Sequence, residues 1–468
     1  MPFVRWIVDI SLEVDYSTSS VHKRTERGFS LEDRETKAVG FGEAFRFWVK
    51  LGFINFGGPA GQIAIMHREL VEEKKWVSES QYLRTLNFCM LLPGPEAQQV
   101  ATYLGWRMHG TLGGVVAGAF FVIPSIFILL LLSWLAAVHS DVQAIRGLLY
   151  GVQPVIIAVV VEAVLRIGGR ALGHPALVAF AVLAFCALFF LGLPFPLVIL
   201  AAAVGGVVLE RFVPDAFRGG GHGDTDDREV AEPQGRRSYA VRNLKTIGVF
   251  VALWAVPVGA VLLWRGADDV LFREALFFTG AAFVTFGGAY AVLTYLSDVA
   301  VNNYGWLTGD QMVQGLGLAE STPGPLIMVT QYVGFFGAYN DPGPFSPVLY
   351  GTLGALLTTY VTFLPCFLFI FLLAPYIELL SNNERLRAAL TGVTAAVVGV
   401  IANLAVFFAS QVLFPGEGSP GLLAGGLDLY ALVVAVISFI ALQRYGVKIY
   451  YAVPVGAVIG MLWVFLTT

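Results

Sequence analysis

Long apolar blocks separated by short polar loops fill most of the chain, and two of them, residues 111 to 138 and 342 to 377, contain no Asp, Glu, Lys or Arg. Each is long enough to cross about 30 Å of hydrocarbon as a helix. Both lie inside the chain, so neither is a signal peptide. The pattern predicts five segments. Residues 1 to 40 form a polar arm, in which only Phe3, Val4, Trp6, Ile7, Val8 and Ile10 offer a face to a membrane surface. A first membrane repeat covers 41–209, with a Gly-interrupted segment to 66, a charged loop, a Pro-Gly-Pro segment, a long span broken at Pro124, a span at 147–165 and a hairpin at 175–209. A polar linker follows at 210–245, then a lone apolar helix at 246–264 and a second membrane repeat at 272–467. The expected fold class is an all-α integral membrane protein.

The two membrane units are copies. Phe56-Gly57-Gly58 returns as Phe286-Gly287-Gly288, Trp76 as Trp306, Gln81 as Gln311, and Pro93-Gly94-Pro95 as Pro323-Gly324-Pro325, all at an offset of 230. Beyond residue 350 the offset is 241: Gly110-Thr111-Leu112-Gly113 returns as Gly351-Thr352-Leu353-Gly354, and Pro124 as Pro365. One loop between 336 and 350 therefore holds eleven extra residues. Duplicated halves whose apolar segments are broken by Gly and Pro at matching places point to a transporter with its site at the breaks.

Composition agrees with a membrane setting: 57% of residues are hydrophobic, 13% are charged, and the mean hydropathy is +0.72. Cys89, Cys186 and Cys366 sit far apart in apolar stretches, which argues against a disulfide frame or a metal site. A net charge of -4 without a basic stripe argues against nucleic acid, and informs mainly through placement. Lys and Arg mark cytoplasmic loops. Arg68, Lys74, Lys75 and Arg84 precede the first Pro-Gly-Pro, whereas 297–310 has no Lys or Arg; Arg166 and Arg170 have no counterpart near 414–427. The last hairpin turn reverses the bias, with Arg444 and Lys448 against an uncharged 191–196. This swap predicts inverted repeats, a cytoplasmic N-terminus and linker, and a C-terminus outside; Arg146 alone dissents. Basic loops on both sides of the first Pro-Gly-Pro segment predict re-entrant or broken helices there, buried in protein or lining an aqueous cavity.

Candidate chemistry gathers at the breaks. A helix starting after Pro95 presents free N–H groups and the positive end of its dipole, an anion site that needs no cation. Glu96, Gln98 and Gln99 follow the first Pro-Gly-Pro, while Glu320, Ser321 and Thr322 precede the second, with Gln331 beyond it. A lone proline kink more often only eases packing; duplication with polar neighbours favours a site. Asn55, Phe56, Gly57, Gly58, Pro59 and Gln62, with Phe286, Gly287 and Gly288, form the second pair of breaks, for which close helix approach is an equally good account. Arg46 and Lys50 share a helix face with Glu43, suited to drawing in an anion or to snorkelling at the interface. Glu96, Glu320 and Glu162, the last matched by Asn403 in the second repeat, are candidates for proton coupling. His67, Arg107 and His109 lie near loop ends.

The Phe-Gly-Gly-Pro and Pro-Gly-Pro signatures, one pair per half and each followed by Gly-Thr-Leu-Gly, resemble the long, two-repeat form of the chromate ion transporter family over about residues 41–467. The resemblance implies export of chromate, a sulfate mimic, across the bacterial inner membrane, linked to the proton-motive force as an antiporter. It places function at Phe56, Gly57, Gly58, Pro59, Pro93, Gly94, Pro95 and their partners. Ala289 stands where the first half has Pro59, and Leu326 where it has Glu96. No phosphate-binding Gly-Lys-Ser/Thr motif and no dinucleotide fingerprint is present, so neither ATP hydrolysis nor a chromate reductase with a bound cofactor is expected. The partners expected are chromate or a sulfate-like oxyanion and membrane lipid, with a homodimer left open. A carrier of sulfate or another tetrahedral oxyanion, and an anion channel, are the competing readings.

Overall fold

A computed structural model describes residues 39–218, 236–377, 380, 383–415 and 426–467. Most of the N-terminal arm, the middle of the linker and most of the 414–427 loop lie outside the described residues. The described chain is helical, with no β-strand. Six helices are long and apolar enough to span a membrane, and three shorter apolar helices accompany them.

The first repeat contains α1 (Phe41–Ile54), α2 (Gly58–His67), α3 (Glu79–Cys89), α4 (Glu96–Phe120), α5 (Ile123–Val138), α6 (Gln143–Ala171), α7 (Pro175–Phe189) and α8 (Phe195–Glu210). Helix α9 (Arg236–Arg265) links it to the second repeat and begins ten residues earlier than the expected 246. The second repeat contains α10 (Val270–Val284), α11 (Ala289–Ser297), α12 (Gly309–Ser321), a 3-10 turn (Leu326–Met328), α13 (Val329–Asn340), α14 (Pro347–Leu373), α15 (Glu384–Leu413), α16 (Leu429–Tyr445) and α17 (Ile449–Thr467).

The copies agree in local detail. Short π-helical stretches occupy Arg68–Glu73 and Asp298–Asn303, and Ser78 and Thr308 cap the helices that follow by accepting from the N–H of Gln81 and Gln311. They differ where the extra residues fall. In the first repeat a break at His109-Gly110, with Gly110 at φ 60°, turns α4 sharply; in the second, an open loop separates α13 from α14.

α1, α2 and α3 have 14, 10 and 11 residues, so each rises only about 15–21 Å. None crosses the hydrocarbon alone. The long spans α6 and α15 interlock the repeats behind them: α6 packs against α16 and α17, and α15 against α7 and α8. Glycine makes the crossings close. A Cβ on Gly151 would lie 2.7 Å from Gly460 Cα, and one on Gly392 would lie 3.0 Å from Gly206 Cα. In lipid, where apolar side chains gain little by leaving their surroundings, such backbone approach is a principal source of helix association.

Candidate oxyanion site

Four helix breaks meet at the centre. In the first repeat α1 ends at Asn55, and Gly57 (φ 91°) and Gly58 (φ 65°) turn the chain into α2, with Pro59 in its first turn. In the second, α10 ends at Thr285, and Gly287 (φ 76°) and Gly288 (φ 97°) turn it into α11 after Phe286. Gly94 has φ 118° and Gly324 has φ 115°, a region open to glycine and strained for other residues. Each is flanked by its two prolines, Pro93 and Pro95 or Pro323 and Pro325, which end one helix and start the next.

The breaks join crosswise. Gly94 donates its N–H to Thr285 O at 2.8 Å, and Gly324 donates to Asn55 O at 3.3 Å, so each Pro-Gly-Pro tip binds the Gly-Gly break of the other repeat. A Cβ on Gly94 would lie 2.9 Å from Cys366 Sγ; one on Gly324 would lie 2.8 Å from Ser125 Oγ. Ser125 and Cys366 are themselves repeat partners, each following the proline of its long span. These paired contacts describe a pseudo-twofold.

On this axis lies a cavity lined by Pro59, Gln62, Pro95, Glu96, Ala97, Gly288, Ala289, Pro325 and Leu326, with about 260 Å³ of unfilled space between atoms. That space is thin, and its centre takes roughly one water-sized sphere. The first turns of α2, α4, α11 and the 3-10 turn before α13 all line it, so four helix starts converge. The α-helices among them, α2, α4 and α11, each bring the positive end of a dipole, roughly half a charge apiece, without any Lys or Arg.

Most polar residues marked by sequence hold the breaks together. Asn55 donates through Nδ2 to Phe121 O at 3.1 Å, at the α4–α5 break. Gln62 donates through Nε2 to Asn55 O at 3.0 Å and Gly324 O at 2.6 Å, tying both repeats across the cavity wall. Gln99 donates to Pro93 O at 2.7 Å and Gln331 to Ile126 O at 2.8 Å. The hydroxyls of Ser321 and Thr322 donate back to Leu318 O and Ala319 O. Gln98 is buried, and neither end of its amide has a hydrogen-bond partner among the described residues.

Glu96 lines the cavity at the first position of α4. Glu320 lies just behind the wall and accepts a hydrogen bond from Tyr290, the neighbour of Ala289. Glu162 pairs with Arg166 at 3.5 Å. Tyr290 was not singled out by sequence; its only signal is a hydroxyl where the first repeat has Ala60. Arg46 and Lys50 lie outside this centre. Both are exposed, and Lys50 pairs with the buried Glu69 at 2.7 Å.

The family described as Chromate transporter matches residues 42–207 and 272–461, one stretch per repeat. The chain is 31% identical to a chromate transport protein of Pseudomonas aeruginosa, covering 90% of this chain and 93% of that one. It is 28% identical to a chromate transport protein of Cupriavidus metallidurans (78% and 82%) and 27% identical to a probable chromate transport protein of Synechococcus elongatus (86% and 90%). No solved structure matches the chain. With both repeats matched and their breaks gathered round one cavity, this multi-pass membrane chain belongs to the chromate transporter family.

Proposed function

We propose that the chain carries chromate, or a closely similar tetrahedral oxyanion, out of the cytoplasm across the inner membrane by alternating access, with the ion held between the four helix starts. Their convergence on one cavity supports this most directly: the positive dipole ends suit a dianion, and N–H groups at helix starts are donors fixed in place. The thin cavity is then the closed state. Admitting an ion requires the Pro-Gly-Pro tips to part from the opposite breaks, and each tip is tied there by one backbone hydrogen bond and one glycine contact. Inverted repeats, supported by the swapped Lys and Arg loops, make the two openings face opposite sides. A dianion leaving a negative interior gains about 4.6 kcal/mol per 100 mV, so the potential drives export without ATP.

Glu96 links the ion to protons. Ionised, it repels an anion in the cavity; protonated, it donates a hydrogen bond to it. Proton and oxyanion therefore favour each other's binding, so a proton that left with the dianion would cut the gain from the potential to about 2.3 kcal/mol per 100 mV; the same arrangement supports a second reading, proton-coupled uptake of a sulfate-like oxyanion. In this reading Glu320, bonded to Tyr290 next to the cavity-lining Ala289, and Glu162 pass the proton on.

The test is labelled chromate flux in proteoliposomes, with membrane potential and pH gradient imposed separately and sulfate as competitor. Saturable flux that follows the potential is expected. Absence of flux ends the assignment, and flux that never saturates points to a channel.

A further inference from the structure

The proposed cycle makes no use of Glu274. This carboxyl lies one turn inside α10, is 0% exposed, and neither Oε1 nor Oε2 has a hydrogen-bond partner among the described residues. Two glycines of neighbouring helices make room for it. A Cβ on Gly354 of α14 would lie 3.0 Å from Oε2, and one on Gly337 of α13 would meet Oε1. The charged groups at this end of the bundle are engaged elsewhere: Asp269 accepts from Arg265 at 2.9 Å and from the Tyr350 hydroxyl at 2.6 Å, and Arg273 reaches Asp268 at 3.0 Å. An ionised carboxylate with no donor and no counter-ion is costly in such a place.

A seam runs inward from Glu274 between α10, α13 and α14. Phe278 follows one turn along α10; Thr330 lies two turns from Gly337 on α13, and Thr362 about two turns from Gly354 on α14. These residues line a second cavity with about 220 Å³ of unfilled space. Thr330 Oγ1 and Thr362 Oγ1 are buried without hydrogen-bond partners among the described residues. Ile327 closes this cavity, and its neighbour Leu326 lines the central one. Among the described residues, the polar atoms without partners here are thus those of Glu274 near the start of α10 and, about two turns further in, of Thr330 and Thr362, with Ile327 and Leu326 between them and the cavity that Glu96 lines.

We propose that Glu274, Thr330 and Thr362 form a proton path between the membrane edge at which α10 begins and the central cavity, with Glu274 loading and unloading the proton. This rests on the central cavity being the oxyanion site. A proton from water joins a Glu274 carboxylate oxygen, passes through hydroxyls and water molecules in the seam, and ends on Glu96; only O–H bonds form and break.

In proteoliposomes, Glu274→Gln should lose the chromate flux driven by a pH gradient while retaining exchange of internal for external chromate, and Thr330→Val with Thr362→Val should weaken the same component. A retained response to the pH gradient overturns the proposal. So does equal loss of exchange, since a merely structural carboxyl predicts that. Infrared difference spectra supply a readout independent of flux: a carboxyl band absent from Glu274→Gln should change with pH, and a band indifferent to pH overturns the proposal. Wild-type protein without chromate flux, but with that titrating band, would refute the central site instead.

Discussion

At the residue scale, the two Pro-Gly-Pro glycines bear the sharpest demands. With φ near +115° and Cys366 or Ser125 against the missing Cβ, Gly94→Ala and Gly324→Ala should each cost on the order of 1–3 kcal/mol and depress flux, measured by thermal unfolding and transport. Gln62→Leu removes the side-chain donor to Gly324 O and leaves Asn55 O with only the Gly324 N–H; a loss of about 1–3 kcal/mol is expected in the same unfolding measurement. Glu96→Gln keeps size and removes the charge, so flux should become nearly independent of pH across the range in which wild type responds. The glycines were legible as repeated words in the sequence. Which carbonyl Gln62 holds was not, because its acceptor at Gly324 lies 262 residues away and is brought there by the other repeat. Tyr290 and Glu274 escaped for a related reason: neither has a polar partner at the matching position, where the first repeat has Ala60 and Ala44.

At the element scale, Gly and Pro placed the breaks well. The first turns of α2, α4 and α11 follow Gly57, Pro95 and Gly288 because these residues end a helix, take a positive φ, or start the next helix without an N–H to satisfy. Helix pairing was less visible. Gly151 and Gly392 occupy matching positions at the offset of 241, and each sits at a crossing with the opposite repeat's last hairpin. Gly151→Leu and Gly392→Leu should therefore lower stability to a similar extent, measured by thermal unfolding in detergent. Gly259→Ala in α9, with nothing within 4 Å of its Cβ position, should be neutral or stabilising by about 0.5–1 kcal/mol. The start of α9 at Arg236 was not foreseen, since a charged stretch reads equally as linker or as solvated helix.

At the scale of the whole molecule, the repeats exchange contacts at every level, from the Gly94–Thr285 and Gly324–Asn55 bonds to the hairpins that cover α6 and α15. The long helices α6 and α15 pack chiefly against the other repeat. Residues 1–235 and 236–468 expressed separately should each be degraded, while co-expression should restore a complex that transports chromate; stable accumulation of either half alone would contradict the exchanged packing. Sequence alone determined that the chain is a helical membrane protein, that it is duplicated, and where its helices break, because hydrophobic length, repetition, and the backbone limits of Gly and Pro are local properties. Only the tertiary structure decided that each Pro-Gly-Pro tip meets the other repeat's Gly-Gly break, and that four helix starts enclose one cavity. Those pairings depend on which small residues let two backbones approach, a property of facing surfaces that neither surface carries by itself.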